Sequence, residues 1–399
     1  MSFSKSRTGG LVIVFLLGLS QGLGASEMSV LWSNIYTEAE GLGQKFTVME
    51  RLIQENDRDL IPTLIQAQAD LLLSSRDTMT NQERFFHRNL QAMIVRELGD
   101  LKAAEAGEIL YRTLSESNDT FLKAHAVAAL GKVGAVEYAE PLAVMLRNLN
   151  LGILTLPTRE ETETLVLSLV TSLERLKAPR GFEPVFFTAV GRNTPKVQAA
   201  AERSLYNMME DPAPQLAQIL RSSDDFQVKL RALDFSSSSR GSDSGKRDVA
   251  RIALSEGLRY SPENIREMTQ LGQLRTSAAR VLSRLRYNDD TIVADLVKML
   301  NVARTETRDL NEVIVCLQAL GAGESDEAAR ALAGHLTRLN GLQKSGITDI
   351  TDQREIIQVI RSLGETGSPL GRAALVNVEF SNWNSAVNRE ARAALAKIQ

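Results

Sequence analysis

The side chains that most often carry chemistry are few and widely separated in this sequence. The three histidines, His87, His125 and His335, lie far apart, and none belongs to an HxxE, ExxH or HExxH arrangement. Cys316 is the only cysteine, and apolar residues at helical spacing around it predict a buried, inert thiol. The sequence therefore predicts no metal site and no internal disulfide.

Motifs for nucleophilic or phosphate chemistry are also missing. The sequence contains no GxSxG elbow and no GxxxxGK[ST] phosphate loop. The acidic pairs Glu160-Glu161, Asp224-Asp225 and Asp289-Asp290 each precede a predicted helix, where carboxylates satisfy exposed backbone amides. We interpret them as helix caps rather than as general acids or bases. The sequence thus predicts a non-enzymatic protein without a cofactor.

One stretch, from Thr120 to Leu146, contains the clearest structural pattern. Its apolar residues recur at helical spacing up to Leu130, two glycines follow, and the spacing resumes from Ala139. This pattern predicts two short helices joined by a tight turn. A single hairpin cannot bury its own apolar face, so neighbouring hairpins must complete the core.

The same pattern recurs along the chain at a constant internal distance. The pairs Leu98 and Leu114, Leu130 and Leu146, and Leu320 and Leu336 are each sixteen residues apart. Looser copies occur at 52–71, 173–190, 205–220, 285–300 and 363–380. Spacings of about 30 to 45 residues between copies are typical of helical repeat proteins.

The Thr120–Leu146 stretch resembles HEAT-like repeats of the short, alanine-rich bacterial type, which also occur in phycobilisome-lyase (PBS-lyase) HEAT-like proteins. The residues that carry the resemblance are Ala128, Ala129, Leu130, Gly131, Gly134, Ala139, Pro141, Leu142 and Leu146. The resemblance implies an all-α fold, an α-solenoid of stacked antiparallel helical hairpins in a HEAT-like or armadillo-like superhelix. It also implies a binding or scaffolding role, and it does not imply an enzyme.

The N-terminus has the pattern of a secretory signal peptide over residues 1–25. Lys5 and Arg7 precede an apolar run from Leu11 to Leu19, and small residues follow it. The run is short for a membrane span, which needs about 20 apolar residues. An uncleaved anchor or a buried helix remains the alternative interpretation. We expect an exported, periplasmic protein that keeps no membrane span after cleavage.

The remaining chain divides into a predicted N-terminal helical cap at 26–80 and a repeat region at 81–399. A Ser-rich segment at 236–246 predicts a flexible loop. The apolar segment from Leu149 to Leu156 interrupts the repeats. We interpret it as packed against the repeats, with a partner-contact loop as the alternative.

Two sets of residues are candidates for partner binding. Four aromatic residues fall in predicted second helices of hairpins: Tyr111 and Tyr138 are candidates for a binding face, whereas Phe186 and Phe187 are expected in the core. From Arg240 to Arg286, ten basic residues stand against five acidic ones, although the whole chain has a net charge of −3. The basic candidates are Arg240, Lys246, Arg247 and Arg251. Acidic residues of adjacent repeats offer the alternative of a neutralised surface.

These observations predict a scaffold that binds a protein partner in the periplasm or cell envelope. A negative chain does not favour nucleic acid, whose phosphates require a basic surface. One alternative is a binder of an anionic envelope polymer or lipid through residues 240–286. Another, suggested by the family resemblance alone, is a lyase-like enzyme accessory. The oligomeric state leaves no mark in the sequence.

Overall fold

The computed structural model describes residues 25–75, 77–154, 156–347 and 353–398. These residues form twenty α-helices joined by short turns and 3-10 segments, and they contain no β-strand. A single isolated bridge between Tyr287 and Gly323 is the one sheet-like pairing among them. The predicted all-α fold is confirmed. The predicted signal peptide lies almost entirely outside the described residues.

The chain divides into two compact units, Met1–Met209 and Glu210–Gln399. Ten helices are described in the first unit. They are α1 (Ala25–Glu38), α2 (Gly41–Gln54), α3 (Ile61–Leu73), α4 (Asn81–Asp100), α5 (Gly107–Glu116), α6 (Thr120–Val133), α7 (Ala139–Asn150), α8 (Arg159–Leu176), α9 (Phe182–Val190) and α10 (Pro195–Met208).

Ten further helices are described in the second unit. They are α11 (Ala213–Ser222), α12 (Phe226–Ser238), α13 (Asp243–Arg259), α14 (Ile265–Leu285), α15 (Asp290–Thr305), α16 (Leu310–Gly321), α17 (Asp326–Lys344), α18 (Gln353–Thr366), α19 (Arg372–Glu379) and α20 (Ser385–Leu395).

Local sequence signals explain where many helices begin. Asp119 precedes α6, and its carboxylate accepts hydrogen bonds from the backbone N–H groups of Phe121 and Leu122. Thr80 and Glu83 form a reciprocal capping box at the start of α4. Asp225 and Asp289, like Asp119, accept hydrogen bonds from backbone N–H groups at the start of α12 and α15. This confirms the capping interpretation for those two acidic pairs.

Within the first unit, the helices pack in two rows. Helices α2, α4, α6, α8 and α10 form the first row, in which each helix packs against the next. Helices α3, α5, α7 and α9 form the second row, in which α3 packs against α5 and α7 packs against α9. The anchor residues Leu98, Leu130, Leu114 and Leu146 are all buried between the rows. Each predicted hairpin therefore contributes one helix to each row.

The second unit repeats this arrangement. Helices α12, α14, α16, α18 and α20 form its first row, and α11, α13, α15, α17 and α19 form its second row. The anchors Leu320, Leu336 and Leu363 are fully buried. Cys316 is also buried, as predicted, and its thiol donates to the Leu296 carbonyl at 3.0 Å.

The predicted Ser-rich loop at 236–246 is largely helical instead. Helix α12 extends to Ser238 and α13 begins at Asp243, so only residues 239–242 connect them. Ser237 and Ser238 donate from their hydroxyls to the carbonyls of Leu233 and Asp234, four residues earlier. These hydrogen bonds satisfy the serine hydroxyls within the helix. The serine run therefore forms the last turn of α12 instead of a loop.

Candidate binding surface

Tyr111 and Tyr138, both candidates from the sequence, lie against each other in the first unit. Tyr111 belongs to α5, and Tyr138 ends the 3-10 segment Val136–Tyr138 that leads into α7. Their ring centroids are 4.5 Å apart and the planes differ by 16°, so the rings are stacked. Both side chains remain half-buried. Partial burial, followed by the nearby carboxylates Glu137 and Glu108, raises the pKa of Tyr138.

An apolar face extends from this tyrosine pair along α7. Pro141, Val144, Asn148 and Leu151 follow each other at intervals of three and four residues, which places them on one side of the helix. The opposite side, including Leu142 and Leu146, is buried in the core. Val144 is 38% exposed and Leu151 is 67% exposed. Three of the four outward residues are therefore apolar, and solvent reaches them.

The turn after α7 adds a further exposed apolar side chain. Ile153 is 70% exposed, and Gly152 before it has a φ of 69° that ends the helix. The carbonyl of Asn148 accepts hydrogen bonds from the N–H groups of Ile153 at 2.9 Å and Leu154 at 3.1 Å. The backbone thus fixes Ile153 in a defined turn. The interpretation of this segment as packed against the repeats is wrong for Leu151 and Ile153.

Asn150 attaches the end of α7 to the neighbouring second-row helix. Its amide group donates to the Pro184 carbonyl at 2.8 Å, and the Thr188 hydroxyl donates to its side-chain oxygen at 3.1 Å. Pro184 and Thr188 both belong to α9, so the clamp holds α7 in place relative to α9. We refer to Tyr111, Tyr138, Val144, Leu151 and Ile153 together as the α7 face.

Two second-row helices of the second unit, α15 and α17, have polar or small residues on their outward sides. The exposed positions of α15 include Thr291, Ala294, Lys298 and Asn301. The exposed positions of α17 include Arg330, Gly334, Thr337 and Gly341. Because solvated helices normally expose polar or small residues, these faces need no partner. The α7 face departs from that pattern. The region of α19 also departs from it, since Val376 is 41% exposed and Phe380, directly after the helix, is 66% exposed.

The two phenylalanines of α9 behave differently from each other. Phe186 is buried at 1% exposure, as predicted for a core residue. Phe187 is only half-buried and contacts Phe186 edge-to-face, with 5.8 Å between ring centroids. The core prediction is therefore confirmed for Phe186 and only partly met by Phe187.

The basic window of the second unit is neutralised in part by acidic partners. Arg275 is buried and pairs with Glu312 at 2.5 Å, and Arg286 pairs with Glu324 at 3.4 Å. Neither acidic partner lies within residues 240–286. The excess of positive charge counted along the sequence thus overstates the charge available on the surface, as the alternative of balancing acids anticipated.

The four basic candidates lie in the connection after α12 and in the first half of α13. Arg240 is exposed in the short connection between these helices. Lys246, Arg247 and Arg251 belong to α13 and are half-buried. The Arg247 guanidinium donates to the Arg286 carbonyl at 3.1 Å. Arg251 lies near Asp289, whose pKa is lowered first by its hydrogen bond from Thr291 and also by Arg251.

The histidines occupy unrelated positions. His87 lies 2.9 Å from both the Ser74 hydroxyl and the Leu71 carbonyl, and His335 lies 2.9 Å from Glu355. Burial is the main cause that lowers the pKa of both His125 and His335. Among the described residues, no group of three His, Cys, Asp or Glu side chains has the geometry to hold a metal ion. No described helix is long and apolar enough to cross a membrane.

Buried charges are the features that the sequence did not reveal. Lys229 is fully buried and pairs with Glu256 at 2.5 Å, and the Tyr260 ring centroid lies 5.0 Å from its ammonium group. Glu97 is buried in the first unit, and its Oε1 atom has no hydrogen-bond partner among the residues that the structure describes. Lys229 and Glu256 are 27 residues apart and lie on different helices, so no local sequence pattern indicates their pairing.

The helices and the order in which they pack define an all-α protein with a repeated helical-hairpin organisation. No model of a known protein family matches the chain, and no curated protein matches it. An engineered protein of known structure is 16% identical over 94% of this chain and 99% of its own, with a TM-score of 0.33.

Two further solved structures show weaker likenesses. Human deoxyhypusine hydroxylase, in a complex with glycerol, is 17% identical over 86% of this chain and 96% of its own, with a TM-score of 0.26. A chain from a computational design of self-assembling cyclic homo-oligomers is 12% identical over 78% of this chain and 94% of its own, with a TM-score of 0.12. Scores this low bear neither on the helix arrangement nor on function.

Proposed function

We propose that this chain is an exported, non-enzymatic α-solenoid of HEAT-like type that binds a protein partner through the α7 face. The repeated sixteen-residue spacing between anchor leucines and the two rows of helices within each unit support the solenoid. In such a stack each hairpin buries its apolar sides against its neighbours. The outward sides of the second-row helices are then free to bind.

The observation that carries the proposal is the apolar outward side of α7. Val144, Leu151 and Ile153 are exposed on the helix that follows the stacked tyrosine pair and in the turn after it. The outward sides of α15 and α17, in contrast, have polar or small residues. Contiguous exposed apolar area on a soluble protein marks an interaction site. Tyrosine also suits an interface, because its ring packs while its hydroxyl bonds to a polar group.

The partner of this face is a protein rather than a small molecule or a polyanion. The named residues of the face are apolar or aromatic, whereas small-molecule sites require convergent polar groups in a cavity. Its apolar residues offer nothing to a phosphate or sulfate. The paired state of Arg275 and Arg286 also weakens the case for an anionic polymer on the basic window.

Export is the second element of the proposal and depends on the first 25 residues. The Lys5 and Arg7 pair before the Leu11–Leu19 run is typical of a secretory leader. A lone cysteine fits an exported chain that relies on packing instead of disulfides. The partner is therefore expected in the periplasm or the cell envelope.

Affinity capture with charge-introducing variants tests the proposed interface. We expect the wild-type chain to retain an envelope protein, and the double variant Leu151→Asp/Ile153→Asp to lose it, because a carboxylate cannot be buried against an apolar partner without a large cost. Ile265→Asp is the matched control, since Ile265 is 78% exposed in another helix. Equal capture by all three chains would contradict the proposed face.

A further inference from the structure

A second candidate site lies between two first-row helices of the first unit, away from the α7 face. A groove of about 530 Å³ separates α2 from α4. Its lining includes Glu50, Ile53 and Gln54 from α2 and Met93, Arg96 and Glu97 from α4. Ile53 and Met93 are half-buried, so the groove has apolar walls below a polar rim.

Glu97 is the unusual residue of this groove. Only 7% of it is exposed, and its Oε1 atom is inaccessible and has no hydrogen-bond partner among the described residues. An unpaired buried carboxylate is costly, and the cost disappears when a donor reaches it. Loss of water, followed by repulsion from Asp100, raises the pKa of Glu97 against the opposing effect of Arg96 and Lys132.

The cations around Glu97 do not satisfy it. Lys132 pairs with Asp100 at 2.5 Å, and Arg51 donates to the Gln54 side-chain oxygen at 3.2 Å. Arg96 is exposed at the rim and makes no ion pair with Glu97 within the described part of the chain. The groove therefore keeps a buried acceptor, Glu97 Oε1, that no side chain of the described residues uses.

We propose that this groove binds the side chain of an arginine from an extended protein segment, with its guanidinium group on the Glu97 carboxylate. The methylene stem fits between Ile53 and Met93, as long cationic side chains cover apolar surface while the charge reaches a polar group. Glu50 is exposed at the rim and offers a second acceptor. A guanidinium has five N–H donors in a planar fork, which suits two acceptors better than an ammonium does.

The experiment uses an acetylated, amidated pentapeptide with a central arginine and its twin in which citrulline replaces that arginine. Citrulline keeps the shape and removes the charge. Titration calorimetry with the full chain is expected to show binding of the arginine peptide. The affinity should fall about tenfold for the citrulline peptide, and about tenfold for the arginine peptide with the Glu97→Gln chain, because both changes remove a charge-assisted hydrogen bond. Glu105→Gln, at an exposed position on the connection between α4 and α5, is expected to change nothing.

Failure takes three forms, each of which overturns the proposal. The arginine peptide does not bind, or the citrulline peptide binds equally well, or Glu97→Gln binds as the wild type does. None of these outcomes affects the α7 face, because α2 and α4 carry no residue of it.

The pH dependence separates a lost contact from a lost fold. Binding is expected to strengthen as pH rises through the raised pKa of Glu97, since only the carboxylate pairs with the guanidinium. The charged or titratable groups near Glu97 are Arg96 and Asp100 on α4, Glu50 and Arg51 on α2, and Lys132 on α6.

A carboxyl group whose pKa is raised by folding binds more protons in the native state, so its contribution to stability falls as pH rises. Glu97→Gln should therefore melt higher than the wild type at pH 7. The difference should vanish below about pH 4, where the wild-type carboxyl is protonated in both states. A lower melting temperature for Glu97→Gln at pH 7 would contradict the unpaired state of this carboxylate.

Discussion

The second unit buries charge with nearly complete pairing. Arg275 donates from Nε to Glu312 Oε1 at 2.5 Å, from Nη2 to Glu312 Oε2 at 3.3 Å and from Nη1 to the Gly257 carbonyl at 3.0 Å. Thr307 adds a hydroxyl donor to Glu312 at 3.2 Å. Arg275 and Glu312 lie on α14 and α16, so the pair connects two neighbouring first-row helices. Such a pair contributes to stability only while both partners are present.

Removal of one partner of this buried pair should therefore lower the free energy of unfolding far more than removal of an exposed arginine. We expect Arg275→Met to destabilise the fold by about 3–5 kcal/mol, because Glu312 is left buried and unpaired. Arg280→Met, on the exposed side of the same helix, should change stability by less than about 0.5 kcal/mol. Urea denaturation measures both. The double variant Arg275→Met/Glu312→Leu should recover part of the loss, and equal losses for Arg275→Met and Arg280→Met would contradict this account.

Sequence reasoning failed most often at this scale. Arg275 was counted as surface charge because its partner lies 37 residues away, on a helix two positions later in the chain. The apolar character of Leu151 and Ile153 favours packing against the repeats, with a partner-contact loop as the alternative, and both side chains are exposed. Whether Arg275, Leu151 or Ile153 is buried depends on which helices pack over the side chain. Local composition does not determine that packing.

At the scale of helices, a glycine close to the end of several first-row helices permits close packing. A Cβ at Gly131 would lie 2.6–2.8 Å from atoms of Ser172 on α8, and a Cβ at Gly321 would lie 2.8–3.0 Å from Ser362 on α18. Each glycine directly follows an anchor leucine. Ser172 uses the proximity to donate to the Val127 carbonyl on α6 at 2.7 Å. The recurring Leu-Gly pair is thus a packing signal.

An alanine at Gly131 should separate α6 from α8. We expect Gly131→Ala to destabilise the fold by about 1–3 kcal/mol, since the added methyl group meets the backbone of α8. Gly341 in α17 has open space around its Cα, so Gly341→Ala should stabilise by about 0.5–1 kcal/mol through helix propensity. Thermal denaturation followed by circular dichroism measures both. A stabilising Gly131→Ala would show that the close approach is not required.

Most hairpins could be located from the sequence because leucine and alanine spacing survives in them. The hairpin of α12 and α13 was missed, since the serine run from Ser236 to Ser239 was interpreted as a loop. Serine usually competes with helical hydrogen bonds, but here its hydroxyls bond to carbonyls one turn earlier. Composition alone does not distinguish these two uses of serine.

At the scale of the whole molecule, the sequence predicts the class of fold and part of the candidate surface. The all-α fold agrees with the sequence analysis, which names Tyr111 and Tyr138 as candidates but does not predict that their rings stack. The apolar stripe from Val144 to Ile153 and the buried Glu97 required knowledge of which side of each helix its neighbours cover. Export and partner binding remain proposals that depend on the leader and on the α7 face.

Site-specific photocrosslinking in the intact cell tests the central claim most directly. A photoreactive phenylalanine analogue replaces Val144 on the α7 face in one chain and Lys298 on the polar outward side of α15 in another. We expect the chain labelled at 144 to form a discrete crosslinked product with another protein in the envelope fraction, and the chain labelled at 298 to form none. Equal crosslinking at both positions, or no product at 144 with the chain retained in the cytosol, would contradict an exported scaffold that binds through the α7 face.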